Sequence, residues 1–497
     1  MKKFTLPNDK PRCACGIFGV VNNPQASLLT YYGLHALQHR GQEASGIVTK
    51  EKSESDKKIT FNHVKGLGLI TDIFKDYKLI SEQLKGDFAI GHNRYSTSGS
   101  SNNKQNIQPF IVNYRNGNMA IAHNGNLTNF KSHRTRLQNA GTIFQTTSDS
   151  ELFLHLIAQS SKGNQAEQIM DALSQVDGAF SLLIMTDNFL VAARDIHGFR
   201  PLALGKKDNT FIVASETCAF DIINAEYIRD IQPGEVLFIE RKNDNEVEMK
   251  SLFLENKTPS THHCIFEYVY FSRPDSKIFG GDTVDKVRRR LGKALAQESP
   301  INSGDEKAIV ISVPDSSNTA TLGYVSEGVK MNLNLKMEIG LIRNHYVGRT
   351  FIQPNQIDRE LKVKTKYNTV KDVLKDKVVV VIDDSIVRGT TSKKLVKLLR
   401  EAGPKEIHLK ITSPPIVKPC HYGMDFPSTS ELIAHQFDGD IEKIREELEV
   451  DSLHYLSCEK LLESVPSEQK QGYCTACFGG DYPTKIETKS NKNDLDN

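Results

Sequence analysis

The run "VVVVIDDSIVRGTTSKKLVKLL" at 378–399 decides the fold class of the C-terminal half. Its unbroken Val/Ile stretch predicts a strand buried on both faces, as in a parallel sheet. The strand stops at Asp383 and Asp384, a loop with Ser385, Arg388 and Gly389 follows, and Thr390, Thr391 and Ser392 open a helix. A helix start preceded by glycine and hydroxyl residues offers backbone N–H groups and a positive dipole end to a phosphate. Two adjacent carboxylates beside that phosphate make sense when a cation or sugar hydroxyls occupy the gap. The loop is neither a Walker A sequence nor a GxGxxG fingerprint. A strand ending in two acids that merely cap a helix is the plainer alternative, and it leaves "RGTTS" unexplained.

A second β-branched run, "AIVISVPD" (308–315), leads into "VPDSSNTA" (313–320) with Ser316 and Ser317. Strands of this kind, alternating with helical segments such as 392–403, predict an α/β domain. The first half is different. Short runs at 15–21, 88–96, 119–125, 179–186, 189–195, 210–216 and 234–240 have strand character, and Asn, Gly and Asp separate many of them. That pattern favours antiparallel hairpins. Helical spacing of Leu, Ile and Ala covers 150–175, so this half reads as α+β. A composition shift near 241–262 reads as a linker or an inter-domain excursion, and 484–497 as a frayed polar tail.

The 497 residues suit two domains. With 38% hydrophobic and 25% charged residues the chain has enough apolar material for two cores. A net charge of +2, from 63 basic and 61 acidic side chains, argues against nucleic-acid or membrane surfaces as partners. No apolar run reaches the roughly 18–20 residues of a membrane helix, and the first fourteen residues contain no secretory apolar core. Eight cysteines in a chain of this length are not a disulfide scaffold. They are expected to be thiols, metal ligands or nucleophiles, in the cytoplasm.

Near the N-terminus, "RCACGIFG" (12–19) holds Cys13 and Cys15 one residue apart. Downstream come "GLHALQHRGQEASGI" (33–47), "GHNRYSTSG" (91–99), "AHNGNLTN" (122–129) and "TTSDSE" (146–151), each with polar groups in strand-like surroundings. Amide hydrolysis by a thiol needs a base and an oxyanion site. An α-amine, with a pKa of roughly 7.7–8.0, serves as base near neutral pH, so a cysteine at a mature N-terminus carries its own.

In this order, these motifs resemble the N-terminal-nucleophile glutaminase domain of class II amidotransferases, an α+β fold of stacked antiparallel sheets between helices. The 378–399 loop resembles the signature of type I phosphoribosyltransferases, an α/β fold. The combination, over about residues 15–483, resembles the glutamine phosphoribosylpyrophosphate amidotransferase family. The resemblance implies a propeptide 1–14, a glutaminase domain 15–255, a phosphoribosyltransferase domain 256–483 and a tail 484–497. Cys15, where the "CGIFG" run begins, would be the nucleophile. Asn124 and Gly125 would supply the oxyanion donors, Arg94 would take the glutamine α-carboxylate and Asp149 its α-ammonium. Phosphoribosyl pyrophosphate (PRPP) would bind Asp383, Asp384, Ser385, Arg388, Gly389, Thr390, Thr391 and Ser392. Arg349 would join from the closing loop "RNHYVGRTFIQP" (343–354), where His345 stands at a position relatives often give to Arg. One Mg²⁺ per subunit would contact Ser316, Asp383 and Asp384. The implied reaction opens purine synthesis: ammonia from glutamine travels a sheltered route and displaces pyrophosphate from PRPP. Purine nucleotides are the implied inhibitors, and a homotetramer the implied assembly.

Cys474 and Cys477 form "CTAC". Alone, it is ambiguous between zinc, a redox dithiol, iron–sulfur and coincidence. With Cys264 and Cys420 it makes four thiols, which by ligand count suit zinc or [4Fe–4S] equally. The resemblance decides for one [4Fe–4S] cluster per subunit. Hexosamine and asparagine synthases share the glutaminase motifs but not the 378–399 loop. A PRPP-sensing regulator would lack the glutaminase set.

Overall fold

The computed structural model describes residues 15–53, 55, 57–95, 103–243, 246–254, 260–344, 367–426, 428–466 and 472–487. The expected propeptide 1–14, Arg349, His345 and most of the 343–354 loop lie outside the described residues.

Two antiparallel sheets build the first half. One contains β1 (Gly16–Val21), β2 (Ala44–Lys52), β3 (Ile59–Leu67), β4 (Phe88–Arg94), β9 (Ala203–Lys207), β10 (Thr210–Ala214) and β11 (Glu226–Asp230). Their order is β11-β9-β10-β1-β4-β2-β3. The other contains β5 (Phe110–Tyr114), β6 (Gly117–Leu127), β7 (Gly178–Thr186), β8 (Phe189–Arg194), β12 (Glu235–Asn243) and β13 (Glu246–Phe253), ordered β13-β12-β8-β7-β6-β5. Ile17, Ile90, Ala120, Leu183 and Val213, from both sheets, share one core between them. Helix α1 (Ala26–Ala36) covers the outer face of the first sheet. On the second lie α2 (Phe130–Asn139), α3 (Glu151–Gln159) and α4 (Gln165–Gln175). This is the stacked α+β arrangement expected.

Two expectations change. The helical spacing over 150–175 belongs to two helices, interrupted at 160–164, where Ser160, Gly163 and Asn164 fall together and Asn164 caps α4 through its side chain. The supposed linker at 241–262 contains β13, an edge strand paired with β12 from Glu235↔Phe253 onward. Most of its residues are exposed, so no apolar face announces it.

The second half is an α/β domain around β15 (Ala308–Ser312), β16 (Leu335–Met337), β19 (Val378–Asp383), β20 (Glu406–Ile411) and β21 (Ser452–Tyr455). All its pairings are parallel, in the order β16-β15-β19-β20-β21. Strand β19 is buried throughout, as its valines require. Helices α5 (Val284–Glu298), α6 (Asn318–Lys330), α7 (Thr390–Arg400) and α8 (Ile441–Leu448) flank the sheet. A separate hairpin pairs β17 (Leu341–Arg343) with β18 (Tyr367–Thr369). A two-strand parallel contact joins β14 (His263–Cys264) to β22 (Tyr473–Cys474).

The halves meet over buried surface. Arg200 donates to Tyr422 O from Nε (3.0 Å) and Nη2 (2.7 Å), while Phe199 and Tyr422 stack at 4.0 Å between ring centroids. Asn126 Nδ2 donates to His421 O at 3.0 Å. Gly125 and Gly423 bring their backbones so close that a Cβ on Gly423 would lie 3.0 Å from the Gly125 carbonyl carbon. The start of the expected frayed tail is docked: Thr484 meets Tyr422 Oη and the Thr128 hydroxyl, and Glu487 accepts from Ser132 N at the start of α2.

Candidate functional site

Cys15 lies one residue ahead of β1, whose ladder with β4 begins at Gly16↔Asn93, so it emerges beside Arg94. The thiol is buried and donates to Tyr95 O at 3.4 Å. Burial pushes its pKa up to about 11; Arg94 pulls it down, while Glu43 and Asp149 push it further up. Arg94 and Asp149 therefore stand close enough to the thiol for their charges to act on it. On its own this thiol is neutral at pH 7, with roughly one thiolate in ten thousand.

Strand β6 supplies the next pieces. Asn124 is fully buried, and neither its Nδ2 nor its Oδ1 has a hydrogen-bond partner among the described residues. Such an amide pays desolvation with nothing returned unless a ligand completes it. At Gly125 the φ of +153° and the Ala179 carbonyl, 2.0 Å from where a Cβ would sit, exclude any side chain. Asp149 Oδ2 accepts from Leu127 N at 2.9 Å, which ties the acidic loop to the end of the same strand.

A supporting layer escaped the sequence reading. His123 pairs with Ser150 Oγ at 2.8 Å, Gln108 accepts from His123 N at 2.8 Å, and His92 Nε2 donates to His123 O at 3.1 Å. Burial lowers the pKa of both histidines, His92 to about 3. Arg40, inside the quoted "QHRGQ", donates from Nε to the Cys15 carbonyl at 3.2 Å. Its position before Gly41 was visible, but its partners were not.

The second site lies at the carboxyl ends of two adjacent parallel strands, β15 and β19, where α/β sheets place ligands. Ser316 donates to Asp384 Oδ2 at 2.5 Å, Ser385 to Asp384 Oδ1 at 2.7 Å, and Ser317 to Asp383 Oδ1 at 3.2 Å. Gly389 caps α7 in the left-handed region (φ +78°), and a Cβ there would meet Ile433 at 2.4 Å. Thr390, Thr391 and Ser392 form the first turn of α7. Arg388 pairs with Glu431 at 3.2 Å, and Arg343 with Asp315 at 2.9 Å. Arg288, buried and near Asp384, was not singled out from sequence; burial lowers its pKa to about 10.

Among the described residues no three His, Cys, Asp or Glu form a ready cage for a metal ion. Magnesium does not need one, since it keeps waters and uses one or two carboxylates plus substrate phosphate. Asp383, Asp384 and Ser316 therefore fit the expected ion in donor type.

Cys264, Cys420, Cys474 and Cys477 line one small cavity, walled by Phe199 and Tyr422 among other apolar groups. Strand register sets Cys264 directly beside Cys474. Tyr422 N donates to Cys420 Sγ at 3.3 Å. Burial raises all four thiols, Cys264 to about 12, with Glu267 and then Cys420 pushing Cys264 further up and the neighbouring cysteines doing the same for Cys474 and Cys477. The four thiols do not stand in ready-made cage geometry, but an all-sulfur donor set around one cavity in an apolar shell fits a thiolate-bound centre in donor type. Cys218 and Cys458 lie elsewhere.

Residues 92–221 match a family model described as a glutamine amidotransferase domain. The chain is 47% identical to amidophosphoribosyltransferase 2 (chloroplastic) of Arabidopsis thaliana over 96% of its own length and 81% of that protein's. It is 46% identical to amidophosphoribosyltransferase of Bacillus subtilis, covering 95% and 94% of the two chains. Among solved structures, it superposes on the allosteric regulatory enzyme of purine biosynthesis with a TM-score of 0.86, at 44% identity, covering 95% of this chain and 97% of that one. It also superposes on the B. subtilis glutamine PRPP amidotransferase complexed with ADP and GMP, at TM-score 0.85 and 44% identity, covering 96% and 99%.

Proposed function

The chain belongs to the amidophosphoribosyltransferases, and from that membership we infer that it is a glutamine-dependent glycosyltransferase of purine biosynthesis. It takes glutamine and PRPP and gives 5-phosphoribosylamine, glutamate and diphosphate. The observation that carries the residue-level reading is the fully buried Asn124 amide on β6, which has no partner among the described residues, in a strand whose end is tied to Asp149.

In this reading the chain is divided at 15–255 and 256–483, with 1–14 removed as a propeptide and 484–497 as a tail. The buried thiol of Cys15 supports that removal: raised to about 11, it needs an adjacent base, and a freed α-amine on the same residue is one. The amine takes the thiol proton, and sulfur attacks the glutamine carboxamide carbon. Asn124 Nδ2 and Gly125 N hold the developing oxyanion. The C–N bond breaks with return of the proton to ammonia, and water then cleaves the thioester to glutamate. Arg94 and Asp149 bind the substrate's α-carboxylate and α-ammonium.

At the second site the amides and hydroxyls of 389–392 hold the 5′-phosphate, with Ser385 and Arg388 beside them. Asp383 and Asp384 hold the ribose hydroxyls and, with Ser316, would hold Mg²⁺; that ion, when bound, neutralises pyrophosphate as it leaves. Ammonia that reaches the ribose C1 displaces it. Arg349, outside the described residues, joins from the 343–354 loop. Purine nucleotides, which share ribose 5-phosphate with PRPP, compete at this site, and the homotetramer is the assembly. The four cysteines, from β14, the loop at 420 and the segment 474–477, would hold one [4Fe–4S] cluster. Thiolate ligands and a thiol nucleophile both call for a reducing compartment, the cytoplasm.

The test compares product formation from glutamine and from ammonia. Cys15→Ala retains the ammonia-dependent rate and loses the glutamine-dependent one; loss of neither overturns the reading. Intact mass of the active protein reads the propeptide directly, and retention of residues 1–14 refutes that part.

A further inference from the structure

Resting on the glutaminase reading above, we propose that Glu267, a residue of the second half, is a positioning residue for the Cys15 nucleophile of the first. Its carboxylate is fully buried and accepts four bonds. Arg40 donates from Nη2 at 2.8 Å and from Nη1 at 3.0 Å, Arg200 from Nη1 at 3.1 Å, and Ser272 from its hydroxyl at 2.7 Å. Arg40 and Arg200 are themselves fully buried. Glu216 is the second carboxylate on Arg40 and also meets His39, so two buried acids face two buried guanidinium groups.

The chain of contacts has two ends. On one side, Arg40 Nε donates to the Cys15 carbonyl at 3.2 Å. On the other, Arg200 grips the Tyr422 carbonyl, two residues beyond Cys420. Glu267 itself lies three residues beyond Cys264. Cys15 precedes the first ladder pair of β1, so its backbone orientation is not set by the sheet. The Arg40 Nε contact sets it instead, and the rigid, planar guanidinium keeps that aim as long as Glu267 and Glu216 hold its other edge. A carbonyl, an α-amine and a thiol share one Cα here. A turn of the carbonyl moves base and nucleophile together, and displacements near 1 Å cost about 100-fold in rate.

Glu267 touches neither substrate nor the reacting atoms. Toward Cys15 it acts through Arg40 alone, whereas toward the phosphoribosyl site its link is the longer one through Ser272, whose carbonyl accepts from Arg288. Glu267→Gln keeps the shape and removes the charge; Glu267→Asp keeps the charge and withdraws it by one methylene. The measurements are kcat and KM for glutamine and the ammonia-dependent rate of the full-length protein. The expected result for Glu267→Gln is a loss of about 10–100-fold in glutamine kcat, with KM for glutamine and the ammonia rate within twofold of wild type. Glu267→Asp shows the same split in smaller degree, and it decides the matter alone where Glu267→Gln is insoluble. Parallel loss of both rates, a rise in KM at constant kcat, or no change overturns the proposal. A wild-type protein that forms product from neither nitrogen source overturns the functional reading instead.

Discussion

The Ser316 hydroxyl donates to Asp384 Oδ2 at 2.5 Å and thereby joins the loops after β15 and β19, 68 residues apart in the chain. The contact places a neutral donor against one of two neighbouring acids, where a cation and a pyrophosphate are proposed to sit. Asp384→Asn is expected to lower product formation from both glutamine and ammonia by at least about 100-fold, while glutamine hydrolysis at Cys15 survives. Ser316→Ala raises the Mg²⁺ concentration needed for half-maximal rate. Titration of Mg²⁺ against the ammonia-dependent rate checks both.

Asn124→Ala removes an amide that has no partner among the described residues, so stability stays level or rises. The glutamine kcat falls about 100- to 1,000-fold, the usual consequence of losing one oxyanion donor. Ammonia-dependent synthesis remains. Thermal unfolding and the two rates, measured side by side, read this.

Gly125→Ala drives a methyl into the Ala179 carbonyl, 2.0 Å away. Strand β6 must then leave its register with β7, where Gly125 faces Phe180. Loss of the glutaminase rate and a lower unfolding midpoint are expected together, which separates this variant from Asn124→Ala.

His92 gives the protein a pH dependence of known sign. Its folded pKa of about 3 lies below the unfolded value of 6.5, chiefly through burial, with Arg94 and His123 adding to the shift. The neutral ring is the folded form. Its contribution is therefore present in full above pH 6.5 and falls as pH drops toward 3, by at most about 1.4 kcal/mol per pH unit. His92→Asn shallows the fall in urea midpoint between pH 6.5 and 4 relative to wild type.

The proposed cluster would fasten the C-terminal segment 472–487. Cys474→Ser is expected to lose iron and sulfide on elemental analysis. It also exposes residues 472–487, which Thr484 and Glu487 otherwise dock on the first half, to limited proteolysis.

The loops that carry chemistry were legible because they break a local pattern. Asp383, Asp384 and Gly389 interrupt an apolar run, and Asn124–Gly125 interrupts a strand. Structure set by distant partners was not. Strand β13 reads as linker because "EVEMKSLF" pairs at an edge and only Val247 and Leu252 are half-buried against the cores. Arg40 sits in plain view within "QHRGQ", yet its meaning rests on Glu216 and Glu267, 176 and 227 residues away. Local propensity holds no record of such pairs. The split of 150–175 was readable in principle, since "SSKGN" carries a helix stop and an N-cap.

The backbone contact between Gly125 and Gly423 has a consequence for anyone recombining modules. A glutaminase half transplanted onto a foreign acceptor domain would arrive without the side-chain-free surface that its oxyanion strand rests against. Residues 420–423 are part of the graft, and a chimera drawn at the proposed boundary near 255 separates Gly423 from the Gly125 backbone it packs against.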